Sequence, residues 1–237
     1  MSPEEIKAAL ARPAVEFSSG GPQTTYVTTK SWLGRVYLGR PGETLPLDAQ
    51  GQPMWPLLQL VLAGLPWVPE VLANTQALTV FLSQQLPIEL PLVTRTAPNG
   101  QNWLLREYQL GEALVMNKLV AVASPLRPFA LQAGLVTIDY PVWDDGGIPK
   151  EVAARIAALE REGVIDEDFE WAENRDGHKL GGWPSFCQPS IGFSPGFEFV
   201  LQIASDAKAK LNIVDGGTIF LAKNAATGEW EFYCDFY

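Results

Sequence analysis

A chain of 237 residues, 47% hydrophobic and 19% charged, can bury a large core, which excludes a disordered polypeptide. Its formal net charge of −10 disfavours nucleic acid as a ligand. A single His and two Cys leave almost no material for proton shuttles, histidine-rich metal sites or a disulfide framework.

The opening MSPEEIKAALARP is charged, unlike a secretory peptide, and reads as a helix. Ser2 supplies the cap, Pro3 the first turn, Glu5 the capping-box acid, and Pro13 the stop. The expected location is a bacterial-type cytoplasm with Cys187 and Cys234 reduced, although their redox state stays open. Residues 49–69 carry no charge, but Pro53, Pro56, Pro66 and Pro69 break them well below the roughly 20 residues of a spanning helix. A soluble protein without membrane contact is expected.

Short runs rich in branched and aromatic residues then predict strands at Leu57–Leu62, Leu78–Leu82, Trp103–Gln109, Leu135–Asp139, Phe197–Ile203, Thr218–Leu221 and Trp230–Phe236. The Asn-Gly of TAPNGQNW predicts a hairpin between IELPLV and WLLREYQ, and KNAATGEWEF predicts a second. Further helices are expected over Ala113–Ala123 and in the connector. The fold class that follows is α+β, β-dominated, with a few peripheral helices.

The second half echoes the first. LLQLVLAG at 57–64 answers FVLQIASD at 199–206, each with one Gln (Gln59, Gln202) in an apolar run. KSWLGRVYL at 30–38 and HKLGGWPSF at 178–186 precede them; ALTVFLS at 77–83 and GTIFLAK at 217–223 follow. Three blocks in one order predict an internally duplicated pair of β units with pseudo-twofold symmetry. The expected organisation is a single compact domain, 1–237, built from repeats at about 24–138 and 177–237. An acidic helical connector, 139–176, joins them.

Charge concentrates in that connector, which holds twelve acidic and four basic residues. In IPKEVAARIAALEREG, Ile148, Val152, Ile156 and Leu159 form a helical apolar stripe over Pro149–Glu162, with Gly163 as the stop. The following VIDEDFEWAENRDG alternates Asp166, Asp168 and Glu170 like oxygen ligands. A calcium loop also needs Gly at its sixth position and an acid at its twelfth, where Gly177 stands, so no metal is expected.

The chain offers residues for four kinds of site. His178 and Cys187 could pair as base and nucleophile, with Asp176 or Asp215 orienting the ring, but no nucleophile signature surrounds them. Zinc would have only His178, Cys187 and Cys234, without paired spacing. Gly181-Gly182 and Gly216-Gly217 fit tight turns better than phosphate loops. Gln59 and Gln202 need hydrogen-bond partners and are expected to hold backbone groups at the seam between the halves, or else to line a cleft.

HKLGGWPSFCQ, FEFVLQIASD and DGGTIFLA resemble the C-terminal signature of the YwqG-like family, a bacterial family of unknown function. SWLGRVYLGRP, GQPMWPLLQLVL and LTVFLSQ resemble its opening pattern, although the family's Gly-Gly-x-Pro stands here as Leu33-Gly34-Arg35-Val36. The resemblance spans about residues 30–237. It implies a duplicated mixed β structure and, for some members, an association with secreted-toxin gene neighbourhoods. It implies no catalytic residue and no cofactor.

Two functional classes follow. The first is a non-catalytic protein-binding factor, immunity-like, whose acidic surface at Asp166, Glu167, Asp168 and Glu170 meets a basic partner. The second is a small-molecule binder or enzyme using the cleft between the repeats, with Trp183, Trp32 or Trp55 as a stacking platform.

Overall fold

A computed structural model of the chain describes residues 1–20, 29–84, 98–117, 124–142, 147–165, 173–188 and 192–236. Among these are two α-helices, α1 (Pro3–Leu10) and α2 (Lys150–Arg161), and twelve strands. The strands are β1 (Arg12–Ser19), β2 (Trp32–Leu33), β3 (Leu38–Gly39), β4 (Trp55–Val61), β5 (Thr75–Leu82) and β6 (Trp103–Gln109). They continue as β7 (Val115–Met116), β8 (Phe129–Asp139), β9 (His178–Gly181), β10 (Phe197–Ala204), β11 (Thr218–Asn224) and β12 (Trp230–Asp235). The protein is β-dominated, as its composition of short branched and aromatic runs predicts.

Ten strands form one sheet in the order β12-β11-β10-β9-β1-β8-β2-β4-β5-β6. The consecutive runs β4-β5-β6 and β10-β11-β12 pair antiparallel at opposite ends. Between them β1 pairs with both β8 and β9, while β8 pairs with both β1 and β2. The sheet curls until its outermost strands meet through side chains. Trp103 of β6 stacks on Phe232 of β12 with ring centroids 5.3 Å apart. Beside them Glu107 of β6 accepts hydrogen bonds from Lys223 Nζ at 2.7 Å and Trp230 Nε1 at 3.1 Å. The inner face is lined by Leu33, Leu57, Leu180, Val200, Leu201 and Ile219, all buried. Burying each such side chain contributes roughly 1.5–3 kcal/mol, so this lining is the main source of stability.

The helices build a second, smaller core. Ser2 Oγ accepts from Glu5 N and Glu5 Oε2 accepts from Ser2 N, closing the capping box expected from the sequence. Helix α1 ends at Leu10, and Pro13 lies inside β1 rather than terminating a helix. Val152, Ile156 and Leu159 of α2 turn inward onto Ile6, Leu10 and Trp183. Glu151 and Glu162 are exposed, whereas Glu160 is half-buried.

Other sequence expectations change. Instead of a helix over Ala113–Ala123, Val115–Met116 pairs with Leu38–Gly39 as a small separate sheet, and residues 118–123 lie outside the described ones. Strand β8 starts six residues earlier than the branched run at Leu135 indicated, because its pairing with β1 and β2 extends it back to Phe129. The IELPLV half of the Asn-Gly hairpin lies outside the described residues, while the KNAATGEWEF hairpin joins β11 to β12. No described helix is long and apolar enough to cross a membrane.

Candidate functional site

Gln59 sits in the middle of β4, fully buried, opposite Trp32 on β2 and Thr79 on β5. An amide so placed must find partners, and the chain from Lys30 to Leu38 supplies them. Oε1 accepts from Tyr37 N at 2.7 Å and Leu38 N at 2.9 Å, while Nε2 donates to Lys30 O at 2.7 Å. Two residues along the strand, Val61 N donates to Ser31 Oγ at 3.0 Å. Gly34 then turns the chain at φ 73°, where an added Cβ would lie 2.8 Å from Arg127 O.

The same arrangement recurs around Gln202 of β10, also fully buried. Its Oε1 accepts from Ser185 N at 3.0 Å and its Nε2 donates to Gly177 O at 2.9 Å. Ala204 N donates to His178 Nδ1 at 3.2 Å, and Gly181 turns at φ 76° with its absent Cβ 2.9 Å from Pro13 O. Each glutamine therefore binds backbone of its own half, not a seam between halves, because the nearest unpaired backbone belongs to the loop beside its own strand.

The two sites differ at the facing residue, which is Trp32 opposite Gln59 and Lys179 opposite Gln202. Lys179 is fully buried and its ammonium donates to Asp139 Oδ2 at 2.9 Å, to Ser185 Oγ at 3.1 Å and to Arg175 O. Burial pulls its pKa below the ordinary lysine range, opposed chiefly by the adjacent Asp139 carboxylate. Asp139 is equally buried and also accepts from Arg175 N at 2.6 Å and Trp183 N at 2.8 Å. All three ammonium hydrogens and both carboxylate oxygens are engaged. The pair clamps the loop before β9 and offers no free acid, base or nucleophile.

Trp183 is no stacking platform. Its ring is buried beneath the helices, Nε1 donates to Leu10 O at 2.7 Å, and the Arg12 guanidinium lies 3.4 Å from the ring centroid. Trp32 is buried as well, whereas Trp55 is only half-buried.

His178 and Cys187 are not arranged as base and nucleophile. Both ring nitrogens of His178 are occupied, Nδ1 by Ala204 N and Nε2 by Asp206 Oδ2 at 3.4 Å. The carboxylate at the ring is thus Asp206, not Asp176 or Asp215. Burial lowers the His178 pKa against the pull of Asp206, so the ring is held neutral. Burial pushes Asp206 up, but hydrogen bonds from Ser19 Oγ, Ala209 N and His178 outweigh it and hold the group below the usual range. Burial and Asp235 push the Cys187 thiol up to about 11, the opposite of an activated nucleophile. Both cysteines are free.

Asp166, Glu167, Asp168 and Glu170 lie outside the described residues. Among the described residues no His, Cys, Asp or Glu cluster could hold a metal ion. The sequence reading missed Asp139, Lys179 and Asp206 as site residues. The available signal was a lone Lys inside HKLGGWPSF, where a wet side chain would not fit. One further surface stands out. Leu135, Val136 and Ile138 of β8 are 84%, 38% and 49% exposed. On the side of β8 away from β1, described residues pair at Phe129 and Ala130, and the last backbone bond there is Leu131 N donating to Ser31 O at 2.9 Å.

No protein-family model matches the chain, and no curated protein matches it.

Proposed function

We propose that this chain is a non-catalytic protein-binding factor that takes an extended, basic segment of a partner along the edge of β8. The observation that carries this reading is the exposed run Leu135, Val136 and Ile138 on a strand whose outer side is unpaired beyond Leu131 among the described residues. Such an edge presents backbone donors and acceptors to an incoming strand, and apolar side chains add contact area. From Leu131 to Ile138 the strand carries no charge, and it runs directly into the connector, where acidic residues outnumber basic ones twelve to four. That field attracts a basic segment over a Debye length of about 8 Å at physiological salt and raises its association rate. His178, Lys179 and Asp139 are all engaged in hydrogen bonds, and this reading gives them a structural role.

The same proposal takes the two halves as an internally duplicated pair. Support comes from matched hydrogen bonds at Gln59 and Gln202 and at Ser31 and His178, and from matched left-handed turns at Gly34 and Gly181. The β4–β5 and β10–β11 ladders also carry bulges at matching places, between Pro56 and Leu58 and between Phe199 and Leu201. Membership of the YwqG-like family belongs to this proposal and rests on HKLGGWPSFCQ, FEFVLQIASD and DGGTIFLA.

The test uses a synthetic peptide of alternating Lys and Val, titrated into the protein with backbone amide shifts as the readout. Binding should perturb residues 133–138 and be lost in the Val136→Lys, Ile138→Lys variant. Association should slow with salt and in the triple variant Asp166→Lys, Glu167→Lys, Asp168→Lys. Equal binding by the edge variant overturns the assignment.

A further inference from the structure

A pocket of about 230 Å³ opens where the two halves meet. Trp55, Leu57 and Leu82 line it from the first half, Leu126 from the segment before β8, and Lys210 and Leu211 from the β10–β11 loop. We infer that this pocket binds an aromatic monocarboxylate of about indole size, with its ring among the apolar walls and its carboxylate at Lys210. The inference is independent of partner capture at β8.

The size and shape of the occupant come from comparing the two inter-strand loops. The β4–β5 loop reaches across to the second half, where the Trp67 ring covers Gly181 so closely that an added Cβ would lie 2.4 Å from it. The same loop accepts Lys223 Nζ at Val71 O, 3.2 Å away. The β10–β11 loop reaches back onto the first half and ties to it through Arg127 N donating to Ala209 O at 2.8 Å. It is two residues shorter, its closing hydrogen bond running from Ser205 to Gly217 where the other runs from Leu62 to Gln76. It also contains no aromatic residue. The space that an indole fills on one side is therefore left as a cavity on the other. A cavity of about 150 Å³ already admits benzene, so 230 Å³ accommodates a larger ring system.

The charge and the backbone of the loop give the head group. Lys210 is exposed and makes no ion pair among the described residues, so its ammonium is free to meet a carboxylate. Lys210 at φ 54° and Val214 at φ 53° are the only described residues besides glycine in the left-handed region. For any residue with a Cβ that conformation costs energy, most of all for the branched Val214, and strain of this kind gathers at ligand clamps. Here both strained residues fall in the one loop that borders the pocket.

Calorimetric titration of the full chain with indole-3-acetate tests the site, with indole-3-acetamide as the uncharged control. The acetate should bind about tenfold more tightly than the acetamide, and Lys210→Met should erase that difference while leaving the acetamide unaffected. Leu211→Trp, which fills the chamber, should abolish binding of both. In the wild type the amides of Leu57, Leu82 and Leu211 should shift on titration, a readout that stands even where the filled variant fails to fold. Absence of binding at millimolar ligand, or shifts confined to other residues, overturns the site. Equal binding of acetate and acetamide overturns the carboxylate assignment.

Discussion

Ser18 pairs with Gln132 in the β1–β8 ladder, with Phe17 facing Ala133 on one side and Ser19 facing Leu131 on the other. The neighbouring strands follow suit, since Glu16 pairs with Lys179 of β9 as Ala130 pairs with Trp32 of β2. Lys179 and Trp32 in turn face Gln202 and Gln59. Two strands from distant parts of the chain thus set the relation between the two ends of the sheet.

Replacing either buried glutamine should be costly by the same mechanism. Gln59→Leu strands the backbone donors of Tyr37 and Leu38, and Gln202→Leu strands that of Ser185. Each is expected to lose about 2–4 kcal/mol in urea unfolding, a few unsatisfied groups at roughly 1–3 kcal/mol apiece. The sites share no partner, so the double variant should lose the sum within about 0.5 kcal/mol.

Lys179→Met leaves the Asp139 carboxylate buried without its cation. The expected loss is about 3–5 kcal/mol by denaturant titration. Gly182→Ala attacks the same pair from the other side, because the new Cβ would lie 2.2 Å from Asp139 Oδ2 at a φ of 72°. It should destabilise comparably while leaving the helical circular dichroism of α2 in place.

The chain has a single histidine, so a pH effect near neutrality can be traced. Burial holds folded His178 below its ordinary 6.5. As pH falls through 6.5 the unfolded chain takes up a proton that the folded ring refuses, so stability is lost on acidification. Stability should fall as the pH is lowered from about 7.5 to about 5.5, measured by urea unfolding at each pH. His178→Asn, whose amide can replace both ring contacts, should flatten that slope.

At the closing seam, burial works against ionisation of Glu107, yet hydrogen bonds from Lys223, Thr75 and Trp230 hold its pKa below the ordinary range. Glu107→Gln removes the anionic partner of a Lys223 that is 11% exposed. A loss of about 1–3 kcal/mol is expected, little changed by 0.5 M salt because the pair is largely shielded from solvent. Thermal unfolding at two salt concentrations measures both.

What the sequence made legible was local. The Ser2–Glu5 capping box and the Val152, Ile156, Leu159 stripe depend on neighbours three or four residues away. The Gln-bearing strands stood out because an amide in an apolar run is an anomaly with few resolutions. β2 and β3 have two residues each and β9 four, too few for any periodicity to register. β1 was obscured by Pro13 and by the helix just before it. The Asp139–Lys179 pair joins residues 40 apart, and two charges read from sequence as wet surface.

The placement of β1 makes assembly order and strand order disagree. Residues 12–19 precede their β9 partner by about 160 residues. Until then β1 has β8 on one side and must wait for its other neighbour. Loop-closure entropy over such a separation makes the late docking of β9 a slow step. It also means that cutting the connector would not yield two self-sufficient pieces. The fragment ending before the connector would carry away β1, the partner of β9, so the fragments should recombine by mutual completion rather than fold apart.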